Sequence, residues 1–377
     1  MADAGIIVID LGKTMSKASL CDARGAVVAR RERANASVSS GGRQILDVAG
    51  IEDWLVQALR ELGALASVKA IVPVAHGAAA AIIRDGALVH PPLDYEQPMP
   101  DALMADYRRQ RDDFSISGSP ALGDGLNLGA QLHALETIVP DLWHGTTQIL
   151  PWAQYWSWRL SGVAASEVSS LGSHTDLWSP FEGRPSPLAD RRGWAGRLAP
   201  LRSAGDVIGS LRADWADRTG LSPTVAVLCG VHDSNAALLA ARGFPQAGDG
   251  EATVLSTGTW FVAMRAGGTA DMASLDAGRD CLVNVDTDGR PVPSGRFMGG
   301  REIALLAGDD PVRIDDPLVQ ADIAAALGEV MVSGAMIVPT MATGAGPFPD
   351  RIGRWINRPS SPIARAATIA LDASLVS

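Results

Sequence analysis

A mixed α/β fold in two domains with a cleft between them is what this sequence predicts, and three observations carry the prediction. Short apolar runs alternate with stretches of helical periodicity. The opening order of strand, glycine-containing turn and strand recurs in the second half. At 377 residues the chain exceeds what one ordinary core accommodates.

Taken in order, Ile6 to Ile9 reads as a buried strand, and Lys17 to Cys21 and Ala26 to Arg33 as two more, separated by the turn-forming Asp22-Ala23-Arg24-Gly25. Ile51, Leu55, Leu59 and Leu62 share a helical face, and Lys69 to Val74 returns as a strand. Pro180 to Pro187 and Arg191 to Pro200, rich in proline, glycine and charge, predict surface excursions before a short helix near Asp206 to Arg212. Val225 to Leu228 is a strand running into Gly230, and Ser234 to Arg242 has good helix propensity, so Asp233 falls at a strand-to-helix junction. Thr253 to Leu255, a turn, and Trp260 to Met264 then repeat the opening hairpin, which predicts an internal duplication. The boundary is placed near Leu221, giving domains 1–221 and 222–377. From Ser361 to Leu371 a helix puts Ile363, Ala367 and Ala370 on one face; the sequence stops within a turn of that pattern and is expected to be cut short.

Composition narrows the function. Hydrophobic residues at 47% and charged residues at 20% describe a globular chain. A formal charge of -10, with no basic tract longer than Arg30-Arg31 with neighbouring Arg33, gives a nucleic-acid partner no electrostatic help. Three scattered cysteines, Cys21, Cys229 and Cys281, give neither a disulfide framework nor a metal spacing, which fits a reducing cytoplasm. Met1 to Gly5 has no basic leader and Asp10 halts the first apolar run, so no signal peptide and no membrane span are expected.

Two turns follow short strands: Asp10-Leu11-Gly12-Lys13-Thr14 and Ser256-Thr257-Gly258-Thr259. Small residues leave backbone N–H groups uncovered, so polyphosphate oxygens can approach them from both sides. Thr14, Ser16 and Lys17 add hydroxyl and ammonium donors to the first turn, whereas Lys13 reads equally as a solvated hairpin lysine. Asp10, after a buried strand and before Gly12, is placed to hold Mg²⁺ through water, although aspartate also ends strands by bonding its own turn. Asp233 is placed to accept a hydrogen bond from an attacking hydroxyl, or else to cap the helix that follows it. His76-Gly77, at a strand end, and His232 can meet sugar hydroxyls, and Asp94, Tyr95 and Glu96 form a polar, aromatic loop suited to a polyol. Of ten tryptophans, Trp152 and Trp156 lie four apart, which favours core packing over a sugar-stacking platform.

Together, Ile9-Asp10-Leu11-Gly12-Lys13-Thr14 with Lys17, His76-Gly77, Gly230-Val231-His232-Asp233-Ser234 and Leu255-Ser256-Thr257-Gly258-Thr259 resemble the FGGY carbohydrate kinases of the actin and sugar-kinase ATPase superfamily. Val338-Pro339 through Gly344, Pro347 to Gly353 and the helix from Pro362 extend the resemblance across nearly the whole chain. It implies two ribonuclease-H-like domains, ATP and Mg²⁺ in the cleft, and transfer of the γ-phosphoryl group to a terminal hydroxyl of a ketose or polyol. By position, Asp233 matches the family's base, Asp10 its metal-side carboxylate and His76-Gly77 its sugar-side pair, while Gly299-Gly300 falls where the family places glycines beside the nucleotide. The His-Asp-Ser form of the base motif leans towards deoxyketohexoses such as rhamnulose.

Two departures accompany the resemblance. Lys13 stands where a threonine is usual, and the glycine-rich motif that flanks adenine is expected after Ser377, leaving the C-terminal domain incomplete. The first functional expectation is therefore an ATP-dependent sugar kinase, with a homodimer a possible assembly. A non-catalytic sugar or nucleotide sensor on the same fold is the alternative. A filament-forming actin-like ATPase ranks last, because it has no need of the loop from Asp94 to Glu96.

Overall fold

The computed structural model describes residues 5–245, 247, 250–267 and 272–376. Residues 1–4, part of the start judged for a leader, and 377 lie outside the described residues. The chain divides into two compact units: Met1–Gly248 with Val283–Val292, and Asp249–Leu282 with Pro293–Ser377.

The first unit is built on a seven-stranded sheet. Strands β1 (Gly5–Leu11), β2 (Met15–Cys21) and β3 (Val27–Ala34) form the expected antiparallel meander. Val68–Ala75 pairs in parallel with the other edge of β1. Ala226–Leu228 and Val231–His232 both add in parallel to Val68–Ala75, and this pairing places residues 222–248 in the first unit, beyond Leu221. Alternation along β1 is strict: Ile7, Ile9 and Leu11 are fully buried, while Ile6 is exposed. Helix α1 (Val48–Gly63), capped by Asp47 accepting from the Gly50 N–H at 2.9 Å, lays Ile51, Leu55, Leu59 and Leu62 on that core. Each leucine there contributes about 2 kcal/mol by leaving water.

The helix Trp152–Ser161 supplies the aromatic part of the same core. Trp152 and Trp156 meet edge to face at 5.3 Å and Trp152 stacks on Tyr155 at 5.4 Å, all three buried, which is packing and not a sugar platform.

Two expectations are corrected. Residues 181–184 are exposed as expected, but 180–200 is not surface throughout: Leu188, Ala189 and Trp194 are fully buried in a second core, and Trp194 Nε1 donates to Glu136 Oε1 at 2.8 Å. Proline and glycine there make tight turns within a folded layer. Nor is 206–212 helical. Val207–Ser210 is an edge strand antiparallel to Ala226–Leu228, and the helix follows as Ala213–Thr219. The β-branched Val207 and Ile208 next to Gly209 suit an edge strand.

In the second unit Ala252–Ser256 and Phe261–Ala266 form the recurring antiparallel hairpin, and residues 294–297 pair antiparallel with Phe261–Met264 beside it. The duplication stops there, because Met336–Val338 pairs with Arg354–Ile356 instead of running parallel to Ala252–Ser256. The last helix, Pro362–Val376, encloses Ala364, Ala367 and Thr368, while the expected Ile363 is only half-buried.

Candidate functional site

Three parallel strand ends stop in step. Leu11 is level with Ala75, and Ala75 with His232, so Gly12, His76 and Asp233 are the first residues past the sheet on adjacent strands. The crevice beyond the carboxyl ends of parallel strands is where α/β folds bind ligands. The phase of the third strand is set by one extra residue: Val227 lies opposite Ile71 but Val231 opposite Val74. Gly230 occupies this bulge at φ +83, and a Cβ on it would come 2.4 Å from the Pro73 carbonyl oxygen. The carbonyl oxygens freed by the bulge are taken up by the aromatic helix. Ser157 Oγ donates to the Cys229 oxygen at 2.8 Å, and Gln154 Nε2 to the Gly230 oxygen at 3.2 Å.

Asp233 opens the helix Asp233–Arg242 but does not cap it; the capping position is His232, without a side-chain bond. Its Oδ1 accepts from the Ser234 N–H at 2.6 Å, and its side chain keeps 37% of its surface open to water. Surrounding protein pushes its carboxyl above the ordinary carboxylate value, with His76 pulling it down. Asp10 is half-buried on the face of β1 opposite the core, level with Lys17 on β2, and accepts no hydrogen bond from a described residue. Burial first, then the charge of Asp233, raise it to about 6 against the pull of Lys17 and Arg30.

Burial disfavours the charged form of both histidines. Burial lowers His76, whose Nδ1 donates to the Gly77 oxygen at 2.7 Å, so that its Nε2 carries a lone pair. Burial lowers His232 to about 4. Its ring is held by Asn235 Nδ2, donating to Nδ1 at 3.2 Å, and by Ser173 Oγ, 3.2 Å from Nε2; that hydroxyl donates to Asn284 Oδ1 at 3.1 Å. His232 Nε2 is also 3.2 Å from Asp233 Oδ1. Gly77 makes room for this ring, since a Cβ there would meet His232 Nε2 at 3.0 Å.

The first turn is tied from behind. Asn35 Nδ2 donates to the Gly12 oxygen at 2.8 Å, and the Asn35 N–H to the Thr14 oxygen at 2.9 Å. Ser16 is fully buried and gives its hydroxyl to Asn35 Oδ1 at 2.9 Å, so it braces the turn and offers no donor to a ligand. This corrects the expectation of a phosphate contact from Ser16. Lys13 turns towards the loop from Asp94 to Glu96: its ammonium is ion-paired with Asp94, 3.8 Å from Glu96 Oε2 and 5.1 Å from the Tyr95 ring centroid. Burial raises Asp94, but Lys13, Ser37 and the Glu96 N–H together hold it below its ordinary value. Tyr95 meets His76 edge-on at 5.6 Å, so the loop and the strand end are in contact.

Within the second unit, the predicted turn and glycine pair come together. A Cβ on Gly300 would lie 2.2 Å from the Gly258 oxygen, and one on Gly299 2.5 Å from the Phe261 ring. Two glycines thus let the start of the helix Gly299–Ala307 touch the turn after Ser256, while Thr257 and Thr259 flank the contact. Trp260 is covered by the Arg296 guanidinium at 4.5 Å; Arg296 Nε donates to Asp280 Oδ1 at 2.9 Å, and Asp280 Oδ2 accepts from the Gly346 N–H at 2.9 Å.

A divalent cation fits the first site. The charge of Asp233 raises the cost of ionising Asp10, and a cation would relieve it. Among the described residues no group of three or more His, Cys, Asp or Glu is arranged to hold a metal. Mg²⁺ binds through one or two carboxylates, water and substrate phosphates, and Asp10 is the carboxylate that would take part here.

The sequence profile described as "Carbohydrate kinase FGGY, C-terminal domain" matches residues 249–377. A carbohydrate kinase from Novosphingobium aromaticivorans of known structure is 53% identical, with 100% of this chain and 80% of that one covered at a TM-score of 0.88. The xylulose kinase from Rhodospirillum rubrum shares the fold at 18% identity and a TM-score of 0.73, over 98% of this chain and 77% of that one. An L-fuculokinase of Salmonella typhi is 28% identical over 291 residues, 72% of this chain and 58% of that relative, so the chain spans less than two thirds of its length. The fold is the actin-like ATPase fold shared by sugar kinases of known structure. The chain belongs to the FGGY carbohydrate kinase family.

Asn35, Ser173, Asn235, Asn284, Asp280 and Arg296 went unnoticed in the sequence. Only Asn235, three residues after His232, carried a local signal; the others act across long sequence separations. Among the described residues no helix is long and apolar enough to cross a membrane.

Proposed function

We propose that this chain transfers the γ-phosphoryl group of ATP to a terminal hydroxyl of a ketose or polyol, with Asp233 as the base. The observation that carries the reading is the arrival of Gly12, His76 and Asp233 at three adjacent strand ends, with the Asp233 carboxylate open to water in the vicinity of Asp10. Asp233 accepts the hydroxyl's hydrogen bond and takes its proton as the new O–P bond forms and the bond to the departing ADP breaks. A carboxyl raised above its ordinary value is a better proton acceptor than a surface aspartate. His76, with its Nε2 lone pair, accepts from a second hydroxyl and orients the acceptor.

Thr14, Lys17 and the N–H groups around Gly12 are assigned to phosphate oxygens in the first unit. In the second unit, Ser256 to Thr259 and Gly299-Gly300 are assigned to the nucleotide. Mg²⁺, held at Asp10 through water, would supply neutralisation of charge on the phosphate oxygens. The relative named L-fuculokinase supports the lean towards a deoxyketohexose.

Asp233→Asn tests the assignment: turnover is expected to fall by at least about 10²-fold while sugar and ATP affinities stay within a few-fold. Turnover equal to wild type would overturn it.

A further inference from the structure

Lys13 was read from the sequence as a candidate phosphate ligand, but its ammonium is already engaged. The side chain is 11% exposed; it is ion-paired with the buried Asp94, lies 3.4 Å from Ser37 Oγ, and faces Glu96 and the Tyr95 ring. All these partners belong to the sugar-side loop or to the strand Ser37–Ser40. Tyr95 in turn packs against His76, so Lys13 lies on the acceptor's side of the first unit.

The polar groups there have a common character. Asp233 and Glu96 are carboxylates, and His76 offers a lone pair because its Nδ1–H is given to Gly77. All three accept hydrogen bonds. Of the two lysines at the hairpin, Lys13 is neutralised by Asp94, and Lys17 stands level with Asp10 on the neighbouring strand. A ligand rich in hydroxyl donors satisfies such a surface. One bearing a carboxylate meets Glu96 and Asp233 with each lysine already facing an aspartate, and like charges brought together across a binding surface disfavour the complex.

The geometry points to Lys13 and Asp94 as a specificity-determining pair that confines the acceptor to neutral, hydroxyl-rich sugars and turns away sugar acids. The inference rests on the sugar-kinase reading of this site. Asp94 holds the Lys13 ammonium; without Asp94 that ammonium keeps, among its carboxylate partners in the described residues, only the longer contact with Glu96, at 3.8 Å, and becomes more available to a substrate carboxylate.

The test is calorimetric titration of the full chain at pH 7.5 with two probes, L-fuculose and D-gluconate, in wild type, Asp94→Asn and the double variant Lys13→Met/Asp94→Asn, alongside ATP consumption. Wild type is expected to bind fuculose at least about tenfold more tightly than gluconate. Asp94→Asn is expected to shift that ratio about tenfold towards gluconate, and the double variant, with neither charge, to lose the shift. Equal binding of both probes by wild type, or one common ratio in all three proteins, would overturn the pair's assignment. Should Asp94→Asn fail to fold, Glu96→Gln, at a side chain 33% exposed, carries the test: it is expected to move the ratio about threefold towards gluconate, and no movement overturns the assignment. Failure of the underlying reading looks different. Fuculose-selective binding without ATP consumption sinks the kinase and leaves the pair standing; ATP consumption as brisk with gluconate as with fuculose does the reverse.

Discussion

Asp10 and Asp233 stand two strands apart, and after burial the charge of Asp233 is the largest influence raising the Asp10 carboxyl, to about 6. Among the described residues neither acid is ion-paired with an arginine or lysine, although Lys17 and Arg30 act on Asp10 from a distance. The fold therefore holds two carboxylates close together at a cost, and that cost is offset when a cation or a proton arrives. Structural aspartates in this chain are treated differently: Asp280 is bonded to Arg296, and Asp176 to Arg111 at 2.9 Å.

The cost should be measurable as stability. Because the folded carboxyl of Asp10 titrates near 6 and the unfolded one near 3.8, the folded state binds more protons between those values, and stability falls as pH rises through that window. Below about pH 4 both states are protonated and the penalty is absent; above about pH 6 it is complete, at most about 3 kcal/mol. Asp10→Asn is thus expected to be more stable than wild type by about 1 to 2 kcal/mol at pH 7.5 and equal to it near pH 4, read by urea denaturation without Mg²⁺. A variant no more stable than wild type at pH 7.5 would mean that Asp10 is not held at a cost.

Gly230 sets the phase of the third strand end, and alanine there meets two obstacles. The residue sits at φ +83, and its Cβ would stand 2.4 Å from a backbone oxygen of the sheet that cannot swing aside. Gly86, at φ +77 with nothing within 4 Å of a Cβ, is the matched control. Gly86→Ala should cost about 1 kcal/mol and leave activity alone, whereas Gly230→Ala should cost about 2 to 4 kcal/mol and reduce turnover with it. Thermal denaturation and ATP consumption of the pair decide this, and equal effects at the two sites would remove the bulge from the account of Asp233.

What was legible in the sequence followed from local chemistry. The alternation of Ile7, Ile9 and Leu11, the face of α1, both glycine-containing turns and the junction at Asp233 depend on residues close in sequence, and the structure forms each of them. The partners of Ser16 and Lys13 were not legible because they lie elsewhere: Asn35 reaches Ser16 across the meander, and Asp94 reaches Lys13 from a loop 81 residues on. Composition misled at 180–200, where proline and glycine accompany the fully buried Trp194. At Val207–Ser210 the strand is fixed by pairing with Ala226–Leu228, which no window of the sequence contains, and the helix begins only at Ala213.

Gly300 gives the last prediction, in the second unit. Alanine favours a helix by about 1 kcal/mol over glycine, so Gly300→Ala should strengthen the helix Gly299–Ala307 in isolation. Its Cβ would, however, come 2.2 Å from the Gly258 oxygen and 3.1 Å from Thr259 Cα, both backbone atoms, and the turn must move away from the helix. Gly328, inside the helix Gln320–Ser333 with open space around a Cβ, isolates the propensity gain. Gly328→Ala is expected to raise stability by up to about 1 kcal/mol and leave nucleotide binding unchanged, whereas Gly300→Ala should weaken ATP binding at least about tenfold with fuculose binding intact. Calorimetric titration of both variants with ATP and with fuculose reads the difference. Wild-type ATP affinity in Gly300→Ala would detach the contact between Gly258 and Gly300 from the nucleotide.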